Sequence, residues 1–410
     1  MTAPNFGMTF TRPDDEIHSS LGADFSQTLI IETSEDASAA EIPIDTPVRG
    51  STSDTDFMDA LGTGLLADAA NGIHDQLNSL NSGADVTVLR VAEGVDAAAT
   101  AAAIAAAVGG IQSIPSAVNV TPRIVVAGRT AWRQDLATPN PVVVALETEL
   151  PKILAVAPVD VDDTSSANAI DARETMSSDR LMPVGVGARI FDGSNVVSRP
   201  MSPRVAGLMA RVDNEVGGGQ PFHPFANRFI YGLSGLTRNI PFSMLDGSVE
   251  GQQMLAGNVS IVATGEVGVD GAVADGGFKF IGTDNAQTSE LWQQIHQVRG
   301  TDFITTQLID ITNNYLGRRI HVSTVEAWLH SIGAVLSDHK AAGNIIGHSP
   351  KESWFTAASN SPNNIRAGKL KIELGIEPVP AFKLAEHEIR RYRPAIESMV
   401  NEIVATLASN

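Results

Sequence analysis

The sequence predicts an α/β fold: a trunk on a mostly parallel sheet with helices on both faces, a strand-rich middle, an α+β C-terminal domain, and extended N- and C-terminal arms. Three observations carry that expectation. Apolar strand-like runs alternate with helix-like runs from Leu29 to about residue 216, the pattern of strands joined by crossover helices and covered on both faces. Beyond Gly217, glycine-punctuated strands and then helices take over. Short alternating segments stand near both ends, outside any continuous pattern.

Taken in order, residues 1–25 read as an N-terminal arm whose one strand, "GMTFTR", puts Met8 and Phe10 on one face. The trunk, 26–285, opens with strands "TLIIET" and "IPIDTPVRGS", and the polar "STSDTDFMDA" reads as turn-like before a helix that ends at Leu77. "ADVTVLRV" is a strand, and Asp96 stands where it would cap the Ala-rich helix to Ile111. Strands "PRIVVAG", "KILAVAPVDV" and "LMPVGVGARIF" then alternate with helices "VVVALETEL", "SANAIDARETM" and "PRVAGLMARVDNEV". Residues 227–244 and 258–282 are strand-rich, with glycines suited to tight turns. The C-terminal domain, 286–410, predicts helices over 290–298, 302–316 and 322–336. Within "KLKIELGIE", Leu370, Ile372, Leu374 and Ile376 share one face of a strand and charged residues the other. An extended piece follows to about Arg390. The last helix carries Tyr392, Ile396, Met399, Val400, Ile403 and Leu407 at helical spacing.

Composition narrows the function. The chain has 410 residues, 43% hydrophobic, which predicts two or three domains with sizeable cores. Zero cysteines exclude disulfides, thiolate metal sites and cysteine nucleophiles. Only 5% of residues are aromatic, which disfavours a base- or sugar-stacking surface. The N-terminus lacks the basic and apolar regions of a signal peptide. The longest apolar run, 97–111, is mostly alanine and short for a membrane span, so a soluble chain is expected. Net charge is −19, yet residues 286–410 hold 12 Lys/Arg and 12 Asp/Glu. The whole acidic excess therefore lies in 1–285, a field that opposes nucleic-acid binding.

No motif with catalytic context emerges. Gly62, Gly64 and Ala67 form G-x-G-x-x-A, but a dinucleotide loop needs a strand immediately before its glycines, and the preceding residues are polar. "GVGARI" lacks the third glycine, and "YGLSGL" around Ser234 is one residue short of a nucleophile elbow. His330 and His339 lie nine residues apart on helical sequence, half a turn out of phase. In "AEHEIRRY", Glu386, His387 and Glu388 are adjacent and would point apart in a strand. "DVDD" at 160–163 lacks an EF-hand's glycine and terminal glutamate.

Several segments resemble the tail sheath family of contractile phage tails and R-type pyocins. "PIDTPVRGSTSDTDFMDALGTGLLADAANGIHDQL" is similar to that family's strand, F-G-x-x-G-T-L-type loop and helix ending I-F-x-Q, and "ADVTVLRVAEG" to its V-V-V-R-V strand. "PFHPFANRFIYGLSGLTRNIPFSMLDGSVEGQQMLAGNVSIVAT" resembles its S-N-x-x-I-x-G-x-x-G-x-x-R-x-I segment, and "FKFIGTDNAQTSELWQQIHQVRGTDFI" its F-x-x-W-G-N-R-T strand and N-V-R-R helix. The match runs from about residue 40 to the C-terminus. It departs at Ile281 (usually Trp), at "TDNA" in place of N-R-T, and at His74, where Phe is common. By this resemblance the glycines at 62 and 64 form a sheath turn.

What the resemblance implies is a structural subunit with no enzymatic activity, no cofactor and no metal. It would polymerise helically, as stacked rings, around an inner tail tube, and contract from an extended metastable state to a shorter, wider one. Its partners would be copies of itself, the tube protein, a baseplate and a tail terminator. It would be part of a virion tail assembled in a host bacterial cytoplasm, with no direct nucleic-acid contact and no membrane insertion. The alternatives are the sheath of a phage-derived bacteriocin or contractile injection system, or an α/β enzyme. The intersubunit arms would use Met8 and Phe10 at one end and Leu370, Ile372, Leu374 and Ile376 at the other. Arg318, Arg319 and Lys340, in the charge-neutral part, are candidates to face the tube.

Overall fold

The structure, a computed structural model, describes residues 23–265 and 276–408. The strand expected at Met8 and Phe10 lies outside the described residues. The chain divides into two units, one ending at Val379 and one spanning Pro380–Asn410.

The first unit opens with β1 (Thr28–Thr33), β2 (Pro47–Ser51), α1 (Thr55–Ala60), α2 (Leu65–Leu77) and β3 (Asp85–Val91). It continues with α3 (Ala97–Val108), α4 (Ile114–Val118), β4 (Ile124–Ala127), α5 (Pro141–Ile153), β5 (Ala157–Asp160), α6 (Ser166–Glu174) and β6 (Leu181–Val184). β1 pairs parallel with β3 on one side and β4 on the other, and β2 closes the edge antiparallel to β3. A parallel bridge from Ile124 to Val156 hands the sheet on to β5, which pairs parallel with β6. Every residue of β1 is buried, as a central strand covered on both faces requires. Ile30, Val86 and Val88 join one core, against α2, while Leu29, Ile31, Leu89 and Val91 join another with α3 and α5.

The chain then forms β7 (Ala188–Phe191), β8 (Val196–Arg199), α7 (Ser202–Gly217), β9 (Arg228–Ile230), β10 (Gly235–Leu236), α8 (Glu250–Ala256), β11 (Ile261–Thr264) and β12 (Phe278–Ile281). α7 returns to the trunk and packs along α2, β4 and β5. β10-β7-β8 and β11-β12-β9 are small antiparallel sheets.

Four local expectations change. The run 181–191 is two strands in different sheets, because the amide of Gly185 bonds to the Ser260 carbonyl at 2.9 Å and that of Gly187 to Asp163 at 3.1 Å. A side chain at Gly185 would also start 2.3 Å from Met254. The polar stretch before α2 holds a helix, α1, because Asp54 caps it, accepting from the Asp56 amide at 3.1 Å. The apolar run beginning at Ala97 extends to Val118, long and apolar enough by composition to cross a membrane. Here it is interrupted at Gly109–Gly110 and buries Ile104, Val108, Ile111 and Ile114 in the trunk core with α5. Last, helices expected at 290–298 and 302–316 are one helix, α9 (Ile295–Asn313).

After α9 come α10 (Val322–Ala341), β13 (Ile345–His348), α11 (Pro362–Arg366) and β14 (Ile376–Pro378), with β13 and β14 pairing antiparallel. Phe303, Ile304, Trp328, Ile332, Leu336 and Trp354 form a third core, into which Phe25 and Phe222 from the trunk side insert. Phe25 and Phe222 each meet Phe303 edge-on with ring centroids 5.4 Å apart.

The alternating stretch 369–377 corrects an expectation. Leu370, Ile372, Leu374 and Ile376 pack on this third core of their own chain. The Glu373 amide donates to the Trp354 carbonyl at 2.9 Å, and the Lys371 amide to Asn360 Oδ1 at 2.8 Å. Their apolar face is therefore partly met within the subunit, and of the four only Ile376 enters a strand.

The second unit, described by itself, has no regular secondary structure as far as Tyr392 and then forms α12 (Arg393–Ala408).

Candidate functional site

The positions that looked chemical are structural where the chain folds. Gly62 has φ +80°, and the next residue, Thr63, donates its amide to Asp36 Oδ2 at 2.8 Å and its hydroxyl at 2.6 Å. A Cβ on Gly62 would lie 2.4 Å from Asp36 Oδ1. The glycine loop thus wraps a carboxylate of its own chain, and Asp68 in the first turn of α2 is engaged by Arg204 at 2.9 and 3.1 Å. Asp36 is held below its usual pKa by the bonds from Thr63.

Ser234 is exposed beside β10, and among the described residues no hydrogen bond joins its hydroxyl to a base. His330 is exposed, whereas His339 is buried between Gln307 Oε1 at 2.6 Å and Asn344 Nδ2 at 3.1 Å, and burial lowers its pKa. Glu386, His387 and Glu388 are exposed in the second unit, with Glu388 paired to Arg390 at 2.7 Å. In "DVDD", Asp160 caps the start of α7 through the amides of Met201 and Ser202. Asp162 holds Thr164, and Asp163 accepts from Gly187 and Thr237. Among the described residues, no three His, Asp or Glu side chains converge as a metal site would need.

Buried ion pairs, which the sequence reading missed, rivet the first unit. Arg299 of α9 reaches Asp213 of α7 with both terminal nitrogens, and one of these also donates to the Phe25 carbonyl at 3.1 Å. Arg180, just before β6, meets Asp302 of α9 in the same bidentate way. Burial pushes the Asp213 carboxyl up, against the pull of Arg299. Removing one partner of such a pair leaves an uncompensated buried charge, a loss of about 3–5 kcal/mol. Each pair joins the helical C-terminal region to the sheet trunk. For Asp213, Arg299 and Asp302 the sequence signal was available, as charged residues inside helices with apolar faces; Arg180, in the turn before β6, carried none.

Two surfaces of these rigid elements remain uncovered. The turn between α9 and α10 exposes Arg318 and Arg319 beside exposed Leu316, Ile320 and Val322, with the Arg318 guanidinium 5.4 Å over the Tyr315 ring. Lys340 is exposed near the far end of α10, a helix of 20 residues and hence about 30 Å long. The structure keeps the two arginines together and Lys340 apart from them. In the second unit, Phe382, Leu384 and Ile389 are exposed, as is the whole apolar stripe of α12: Ile396, Met399, Val400, Ile403, Val404 and Leu407. Contiguous apolar surface of this kind marks an interaction face.

No family model matches the chain. Two curated relatives do. One is a prophage major tail sheath protein of Pseudomonas aeruginosa (strain UCBPP-PA14), 26% identical over 305 residues, covering 71% of this chain and 73% of the relative. The other is the tail sheath protein of Escherichia phage P2, 21% identical over 370 residues and 86% of each chain. Among solved structures, the anti-feeding prophage helical sheath in its contracted state superposes with a TM-score of 0.69 at 14% identity, covering 95% of this chain and all of that one. The contracted sheath complex of the extracellular contractile injection system PVC gives a TM-score of 0.66 at 14% identity, over 96% of this chain and 100% of that one.

The fold is therefore the mixed α/β fold of contractile sheaths. In sequence the chain is similar to tail sheath proteins over 71% and 86% of its length, in keeping with the resemblance carried by its motifs.

Proposed function

We propose that the chain is the structural subunit of a contractile tail sheath, polymerising helically around an inner tube and contracting to a shorter, wider state that drives the tube through a cell envelope. The observation that carries this reading is the second unit, Pro380–Asn410, a segment with almost no buried side chain and a continuous apolar helix face. A face like that is stable in water only when another surface covers it. The two-stranded β13–β14 sheet is too small to be stable alone and offers strand edges, so a neighbour's extended segment can add to it by backbone hydrogen bonds. Head-to-tail donation of this kind does not close on itself, and open heterologous contacts build helices.

In this reading the rigid unit to Val379 moves as one body, and the terminal segments keep the subunits linked while the lattice changes. The work comes from the energy difference between two packings of the same subunits, held back by a barrier. The chain itself makes and breaks no covalent bond, and it needs no cofactor. Both curated relatives belong to phage or prophage tails, which favours a virion tail over a free-standing injection particle. The Arg318–Arg319 turn is the surface we assign to the tube.

The test is truncation after Val379. The shortened chain should stay soluble and melt unchanged, with circular dichroism reduced only by the helix α12 that is removed, because no buried core residue is lost. Negative-stain microscopy should show tubes of one width for the full chain and none for the truncated one. Normal tubes from the truncated chain would overturn the reading of the second unit as the link.

A further inference from the structure

A cavity of about 430 Å³ opens at the carboxyl ends of β1, β4 and β5, beside the start of α7. This is the switch point of the sheet, where the strand order runs from β1 to β3 on one side and to β4 on the other. In open α/β sheets the crevice at that point is where small ligands bind. Nothing in the sheath reading uses it.

Four carboxyl groups line the cavity: Glu32, Asp68, Asp160 and Asp163. Three are already satisfied. Asp68 is engaged by Arg204, with Arg199 at 3.7 Å; Asp160 caps α7; and Asp163 accepts from Gly187 and Thr237. Glu32 differs. It is 4% exposed, and among the described residues its only hydrogen-bond donors are the amide and hydroxyl of Thr33, both on Oε1. Its Oε2 is wedged against the backbone of Gly128, where a Cβ would lie 1.8 Å away. The nearest cation, Arg129, is turned to Glu93 at 3.3 Å. Arg129 holds this position with φ +60°, a left-handed conformation that is unfavourable for a long side chain and that gathers at ligand sites. The remaining wall is apolar, with Leu65, Val126, Val186 and the Trp132 side chain.

We propose that this cavity binds a small aliphatic ammonium ion, its charged head on Glu32 and its alkyl tail against the apolar wall. An ammonium supplies its own N–H donors and needs one carboxylate. A dehydrated metal needs several converging ligands, and no such group exists among the described residues. The lining carries more acid than base, so an anion is opposed.

The probe is n-butylamine, titrated calorimetrically into the full chain, with 1-butanol as the uncharged isostere. The amine stays an ammonium ion at both pH 6 and pH 8, while Glu32 takes up a proton near pH 7. Saturable binding is expected at pH 8, several-fold weaker binding at pH 6, and no binding of 1-butanol. Glu32→Gln, which keeps the side-chain shape, should weaken binding at pH 8 by about tenfold or more, the worth of a charge-assisted contact. The pH comparison on the unaltered protein stands even where the variant misfolds. Absence of saturable heat at pH 8, equal affinity at the two pH values, or equal binding of 1-butanol would each overturn the proposal.

Discussion

Glu32 shows at the scale of one residue how an apolar pattern can hide a polar feature. It lies two positions after Ile30 and so on the same face of β1, inside the trunk. Burial pushes its carboxyl up to about 7, with the Thr33 amide and Arg129 opposing. A raised carboxyl pKa means that folding is favoured most when the group is protonated. That stability is complete below the ordinary value of 4.5 and lost as pH rises through about 7. Glu32→Gln should therefore be more stable than the parent at pH 8, by about 3 kcal/mol, and indistinguishable from it near pH 4. Urea midpoints at the two pH values read this directly; an equal effect at both would show that the charge is not the cause. The short apolar, β-branched run in "TLIIET" made the strand legible. The buried carboxyl was equally legible from its parity, but a strand reading that scores only apolar positions passes over it.

At the scale of elements, strands and helices with one strong period were legible, and the breaks between them were not. β1, β3, β4, α2 and α7 lie where the pattern put them. The division of 181–191 into two strands depends on partners at Ser260, Asp163 and Met254, far along the chain, and no local signal carries that. α9 teaches the converse. Gly300 falls between the two helices expected from sequence, yet it sits inside α9, where a Cβ would lie 2.8 Å from the Phe222 ring. That ring is fixed by Phe303 and lies 5.0 Å from His339. Gly300→Ala should raise helix propensity by about 1 kcal/mol but overpack this contact at about 1–3 kcal/mol. A lower urea midpoint is expected; a higher one would mean that Phe222 is free to move aside. The glycine's role as spacer was invisible without the facing ring.

At the scale of the molecule, charge and topology separate. The acidic excess sits before residue 286, and the C-terminal part is neutral with two arginines at an exposed turn. Reversing Arg318 and Arg319 to Glu should leave melting unchanged, since both are exposed. Assembly on purified tubes, counted by microscopy, should fall. Undiminished assembly would remove this turn from the tube contact. Of the surfaces named from sequence, the Leu370–Ile376 face packs in part on the Trp354 core of its own chain, a partner that sequence did not reveal because it is built from segments with no conspicuous pattern. The last helix was read correctly as amphipathic, and sequence could not say that its apolar stripe would be left open.

That open stripe has a consequence for timing. Six large apolar side chains on α12 stand in water on each free chain, and two free chains can meet through them as readily as a chain can meet its intended seat. Random pairing scales with the square of the free concentration, whereas capture by a growing end scales with its first power. Under the proposed sheath assembly, a slow supply of chains to many ends would yield ordered polymer, and a sudden surplus would yield clumps from the same molecules.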